Sequence, residues 1–290
     1  MKLRDWIDIN KLNWKILSYN LNAIELLEEN PEKINWYGLC LNPNAIELIK
    51  KYKSKINWIC LSANPNAIEI LKENQEKICW SQLSYNSNAI ELLRENQEKI
   101  NWYNLSSNTN AIKLLEENPK KIDWYGLSKN SNAIKLLKEN LDKIDWSLLS
   151  SNPNAIELLK ANPDKINWKL LSSNQNALNI LKENPKKIDW YNLSSNLNAI
   201  ELLKANPKRI DWSKLSLNTN VMEILEKNKD KIDWDYISYN NSIFTYDYDK
   251  IKNDFAELGE EIIAKALHPK RIFRLIEEYG EEEVYDNYFE

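Results

Sequence analysis

Hydrophobic and polar positions recur along this chain with a fixed period of 22 residues. Eleven tryptophans mark it: Trp14, Trp36, Trp58, Trp80, Trp102, Trp124, Trp146, Trp168, Trp190, Trp212 and Trp234, with no insertion or deletion between them. Counted from the Trp, each unit reads W-x-x-L-S-x-N-x-N-A-I-x-L-L-x-x-N-P-x-K-I-[DN]. Such a period is the signature of an array in which each unit packs on its neighbours.

The copy from Trp146 to Asn167 shows which elements the pattern predicts. Asp145 precedes the Trp, and its carboxylate can accept the free N–H groups of a helix start. Trp146 and Leu149 stand three apart, which is core spacing, so the Trp row is read as a structural ladder inside a short first helix over 146–150. Asn152 is expected to end that helix in a left-handed conformation, as Asn can where Gly is scarce. Asn154-Ala155-Ile156-Glu157 has the form of a capping box, with Asn154 as N-cap of a second helix. The Glu of that box recurs as Glu25, Glu47, Glu69, Glu91, Glu157, Glu201 and Glu223. Ala155, Ile156, Leu158 and Leu159 give its buried stripe, and Asn162-Pro163 stops it. Helices this short are marginal alone in water, so stacking must supply their stability.

The fold expected is therefore all-α: an α-solenoid, or superhelix, of ten 22-residue two-helix repeats with a cap at each end. Residues 1–13 read as the N-terminal cap, residues 14–240 as the array, and residues 241–290 as a helical C-terminal cap or docking segment with an acidic end. At the usual 8–10 Å between layers, ten repeats would make a rod or superhelix about 80–100 Å long. In the last segment, Ile251, Phe255, Leu258, Ile262, Ile263 and Ala266 mark one helix. Ile272, Phe273, Leu275, Ile276 and Tyr279 mark another, between Pro269 and Gly280. Glu281, Glu282, Glu283, Tyr285, Tyr288 and Phe289 finish the chain.

Charge changes this picture little. Residues 1–13 carry +1, the ten full units over 14–233 carry +3, and residues 234–290 carry −8, which makes the net −4. Neither part has the balance of a polyanion binder. Cys40, Cys60 and Cys79 fall at different repeat positions without metal or disulfide spacing, as expected in a reducing compartment. No apolar run reaches 18 residues, and the polar start does not read as a signal peptide, so an intracellular, cytoplasmic protein with no membrane partner is expected.

No catalytic, cofactor or metal motif stands out. His268 is the single histidine and reads as a local cap beside Pro269. No enzyme activity and no cofactor are expected. Lys or Arg stands two residues before every Asn, Asp or Cys–Trp boundary from Lys33 to Lys231, but neighbouring carboxylates argue against phosphate tracking, and a nucleic-acid partner is not favoured. The first helix, by contrast, varies in kind from copy to copy. Tyr37, Tyr103, Tyr125 and Tyr191 at its second position, with Tyr19 and Tyr85 at its sixth, form the candidate surface for a protein partner. Tyr offers large contact area at small entropic cost.

The unit Leu149-Ser150-Ser151-Asn152-Pro153-Asn154-Ala155-Ile156, with Trp146 before it, resembles the short tryptophan and Asn-Pro-Asn-Ala-Ile repeats of giant DNA viruses of amoebae and algae. The segment Leu267-His268-Pro269-Lys270-Arg271-Ile272 is similar to a C-terminal element of such proteins. In its period the chain also resembles leucine-rich variant repeats. The viral resemblance implies an intracellular viral protein and carries over no activity; the function expected is a non-enzymatic repeat scaffold that binds a host or viral protein. Its alternatives are a helical repeat that reads nucleic acid, or a structural part of a virion or viral factory.

Overall fold

In the computed structural model, residues 1–266, 268–280 and 284 are described. Leu267 and the chain end at 281–283 and 285–290 lie outside the described residues, as do the side chains of Asp254, Glu257, Ile262, Ile263 and Ala266. The first ten repeats are helical, and each carries at least three short elements where two were expected, with a further turn at Pro43–Ala45 and Pro65–Ala67 in repeats two and three. An A helix begins at the Trp, a B helix begins at the Ile or its Leu178 and Met222 equivalents, and a 3₁₀ turn fills the three residues that end in Lys or Arg. Trp168–Ser173, Leu178–Glu183 and Pro185–Lys187 are one such set. Pro185 stands at the first position of its turn, where its missing N–H costs nothing. Leu171, Ala177 and Leu181 of this set are fully buried, and so are their equivalents in the repeats around them.

The A helices start as the sequence predicts. Asn167 Oδ1 accepts from Leu170 N at 3.1 Å, and Asp145 Oδ1 accepts from Leu148 N at 2.9 Å. Cys79, which has no suitable acceptor, makes no such cap. The two Asn after each A helix depart from expectation. Asn152 is not left-handed, since no non-glycine residue among those described has a positive φ, and its equivalents Asn42 and Asn130 are extended. Its Oδ1 accepts from Asn154 N at 3.0 Å, while its Nδ2 donates to the carbonyls of Ser128 and Asn130 in the preceding repeat at 3.2 and 3.0 Å. Asn154 is not an N-cap. The B helix begins behind Ala155, which makes no side-chain cap bond, and Asn154 Nδ2 donates to Ser131 O of the preceding repeat at 2.9 Å. Four Glu of the supposed capping box, Glu47, Glu69, Glu157 and Glu201, pair with a Lys three residues on. An amide has both a donor and acceptors. Here the neighbouring repeat takes the donor, so these Asn join layers rather than cap helices.

The serine at the fifth position completes each junction. Ser150 Oγ donates to Trp146 O at 2.8 Å and accepts the N–H of Asn167, in the next repeat, at 2.9 Å. Cys40 stands in for Ser once and accepts from Asn57 N at 3.3 Å through its Sγ.

These junctions number eleven, one for every A helix, because the last repeat is bonded to the first. Asn13 N donates to Ser238 Oγ at 2.9 Å, and Asn20 Nδ2 donates to the carbonyls of Ser238 and Asn240 at 3.1 and 3.0 Å. Residues 3–244 are therefore an α-solenoid, as expected, but one whose last repeat meets its first, so that it closes into a ring rather than an open rod. Residues 1–13 supply what the eleventh repeat lacks. Its A helix is Trp234–Tyr239, and its 3₁₀ turn is Ile9–Lys11 from the other end of the chain. In place of a B helix stand two strands paired in one sheet, β1 (Lys2–Leu3) and β2 (Phe244–Thr245). Ile7, Leu12, Ile243 and Phe244 are all buried and fill the core of this split repeat.

The ring has an inner and an outer layer. Eight of the eleven neighbouring A-helix pairs pack directly on one another, Trp58–Ala63 on Trp80–Tyr85 and Trp14–Leu17 on Trp234–Tyr239 among them, whereas no neighbouring B-helix pair packs as closely. In a closed array, the elements packed closest lie at the smaller radius, so the A helices form the inner wall. Eleven helices at 8–10 Å spacing enclose a circle about 28–35 Å across their axes. Less a helix width of 10–12 Å, this leaves a lumen of about 16–25 Å.

Met1–Lys2 and Thr245–Glu290 form a second unit. Its helices, Tyr248–Ala266 and Pro269–Tyr279, fall where the pattern places them. His268 caps the second by accepting from Lys270 N through Nδ1 at 3.3 Å, and Gly280, at φ 92°, ends it.

Candidate binding surface

The A-helix wall carries the tyrosines that sequence singled out. Tyr37, Tyr103, Tyr125 and Tyr191 are 45–53% exposed, and Tyr85 is 44% exposed, despite sitting on helices whose other faces are sealed. Tyr19 is half-buried, because its ring lies over Gly38, where a Cβ would come within 2.7 Å of it. The structure brings these residues together in groups. Tyr103 and Tyr125 stack at 6.2 Å with their planes 17° apart, and Tyr85 is close enough to bear on Tyr103 electrostatically. Tyr19 packs against Tyr239 at 5.7 Å across the seam of the ring. Partial burial, with Tyr239 and Tyr37 nearby, raises the Tyr19 hydroxyl above its ordinary pKa, and burial beside Tyr125 and Tyr85 does the same for Tyr103. Tyr191 stands apart, with Lys214 Nζ 4.8 Å from its ring. Tyr239 belongs to the same surface and was missed, since its repeat appears truncated in the sequence. Its equivalence to Tyr19 and Tyr85 in the period was the available signal.

The Trp row sits between core and surface. Every Trp from Trp14 to Trp234 is half-buried rather than fully enclosed. In eight repeats a Lys or Arg from the 3₁₀ turn lies over the indole, as Lys143 does over Trp124 at 4.6 Å and Arg209 over Trp190 at 5.1 Å. Lys11 covers Trp234 at 5.2 Å in the same register, across the chain ends. Trp36 instead meets Tyr52 at 5.2 Å. Seven of the ten row cations, all but Lys55, Lys121 and Lys165, thus lie on indole faces, where a cation is held by the ring quadrupole.

Outside and inside differ in how charge is balanced. On the B helices Glu is plentiful, and Lys50, Lys72, Lys160 and Lys204 each pair with one, although Lys113, Lys135, Lys138 and Lys182 do not. On the inner wall, Lys15, Lys129, Lys169 and Lys214 have no carboxylate partner among the described residues. The single acid on the exposed positions of that wall, Asp235, accepts from Asn13 Nδ2 at 2.8 Å. Among the described residues, no group of His, Cys, Asp or Glu is arranged to hold a metal, and no helix is long and apolar enough to cross a membrane.

The fold defines a helical repeat protein. Compared with known protein families, curated proteins and solved structures, the chain has no match.

Proposed function

We propose that this protein is a non-enzymatic scaffold that binds a protein partner through the inner wall of A helices. The observation that carries the reading is the contrast between the two layers. The outer layer presents Lys and Glu, some of them paired, as Lys50 with Glu47 and Lys160 with Glu157, while the inner wall presents exposed Tyr37, Tyr103, Tyr125 and Tyr191 among Lys with almost no acid beside them. Side chains of this kind favour adaptable recognition. The partner proposed is a host or viral protein. Engagement of the basic row with the indoles speaks against nucleic acid as the primary ligand.

Affinity capture with the intact chain and with a Tyr37, Tyr103, Tyr125 and Tyr191→Ser variant tests the reading. The variant should keep its helical spectrum and lose the captured protein. Capture that survives these changes but fails when Lys121, Lys143, Lys165 and Lys187 are replaced would move the site to the indole side.

A further inference from the structure

The inner wall is itself divided, and the division names the shape of its occupant. Across repeats two to five the exposed positions carry no charge, and Tyr37, Ile59, Tyr85 and Tyr103 give that arc an aromatic and apolar surface. The remaining arc carries Lys129 in repeat six, Lys169 in repeat eight, Lys214 in repeat ten and Lys15 in repeat one. In a closed ring of eleven, these fall on every second layer through the seam. None of the four pairs with a carboxylate among the described residues, and the one acid on this arc, Asp235 in repeat eleven, is bonded to Asn13 Nδ2 at 2.8 Å. Lys129 and Lys214 rest over Tyr125 and Tyr191 at 4.9 and 4.8 Å, which holds each charge without neutralising it.

Resting on the reading of this wall as a protein-binding face, we infer that the lumen receives an acidic amphipathic α-helix. Its apolar stripe lies on the neutral arc and its carboxylates face the lysine arc. A helix about 10–12 Å wide with its side chains fits a lumen of about 16–25 Å. The interaction is an amphipathic helix laid on a complementary surface, here curved fully around it. A single-stranded nucleic acid fits less well, because it carries a charge on every nucleotide and the neutral arc offers none in return. Residues 3–244 also carry 32 Lys and Arg against 30 Asp and Glu, too even a balance to gather a polyanion.

The test uses the full chain and three labelled probes, read by fluorescence anisotropy. The first is a peptide of about twenty residues, or about 30 Å of helix, with Glu on one face and Leu and Phe on the other. The second has the same composition in scrambled order, and the third is a single-stranded RNA of similar length. The amphipathic peptide should bind in the micromolar range and the scrambled one at least about tenfold more weakly. K129E/K169E/K214E should weaken the acidic peptide by about tenfold or more and gain affinity for a version with Lys in place of Glu. The outer-face variant K160E/K204E should change neither. No binding of the amphipathic peptide, equal binding of the scrambled one, tighter binding of the RNA, or equal loss in the outer-face variant overturns the inference. If the peptide fails while capture of a protein still depends on the four tyrosines, the lumen helix is wrong and the protein-binding wall stands. If both fail, so does the reading beneath it.

Discussion

Asn20 donates from Nδ2 to the carbonyl of Ser238 at 3.1 Å, across 218 residues of sequence, and this bond repeats the one that Asn42 makes to Ser18. One rule thus joins every layer, including the last to the first. A repeat array normally leaves an open layer at each end that must be covered. Here the first repeat keeps the full Ser18-x-Asn20-x-Asn22 set because each of these side chains has a partner in, or a bond to, a neighbouring repeat: Ser18 to Asn35, Asn20 to Ser238 and Asn240, Asn22 to Asn241.

The two Asn of a junction are predicted to differ in weight. Asn130→Ala removes donations to Ser106 and Asn108 and the acceptor for Asn132 N, all at a buried site. It should cost about 2–4 kcal/mol. Asn132→Ala removes one exposed donation to Thr109 and should cost about 0.5–1 kcal/mol. Urea denaturation of the two variants checks the order, and equal costs would return Asn132 to the capping role.

Trp124→Ala should destabilise the ring by about 2–3 kcal/mol, at or below the range for a fully enclosed Trp, because the indole is only half-buried. Lys143→Met keeps the stem and removes the charge over the ring, so a loss of about 0.5–1 kcal/mol is expected in the same measurement. No loss would mean that the ammonium only rests there.

Cys40→Ser should stabilise the protein by about 0.5–1.5 kcal/mol. A hydroxyl there would accept from Asn57 N more strongly than the thiol and donate to the Trp36 carbonyl, as Ser62 does to Trp58. A lower thermal midpoint in the serine variant would contradict this.

Two glycines separate packing from helix propensity. A Cβ on Gly126 would stand 2.9 Å from the Tyr103 carbonyl oxygen, whereas one on Gly259, inside Tyr248–Ala266, would meet nothing within 4 Å. Gly126→Ala should cost about 1–3 kcal/mol. Gly259→Ala should raise the stability of its helix by about 0.5–1 kcal/mol, followed by circular dichroism.

The layers were legible in the sequence and the ring was not. Period and apolar spacing mark the A and B helices, and Asp145 before Trp146 marks a helix start, because those are local properties. The roles of Asn152 and Asn154 are not local. An amide's residue type does not say which of its ends a neighbouring layer will take. Closure depends on the rotation per repeat, which packing sets and the pattern does not state. The clue was arithmetic: Lys11-Leu12-Asn13 reads as the end of a repeat whose beginning, Trp234 to Ile243, stands at the far end of the chain. The tyrosine face was visible as variation between copies. Its grouping into a neutral arc and a lysine arc needed the ring, since Lys15 and Lys214 are distant in sequence.

The closure of the ring is tested most directly by a distance between its first and last repeats. With Cys40, Cys60 and Cys79 replaced by Ser, spin labels at Lys15 and Asp235 occupy the same position on neighbouring A helices, as labels at Lys15 and Tyr37 do. The closed ring predicts the same short-range dipolar broadening for both pairs, from layers about 8–10 Å apart. Broadening for Lys15 with Tyr37 but none for Lys15 with Asp235 would place the ends far apart, up to about 80–100 Å in an open array, and would contradict the ring.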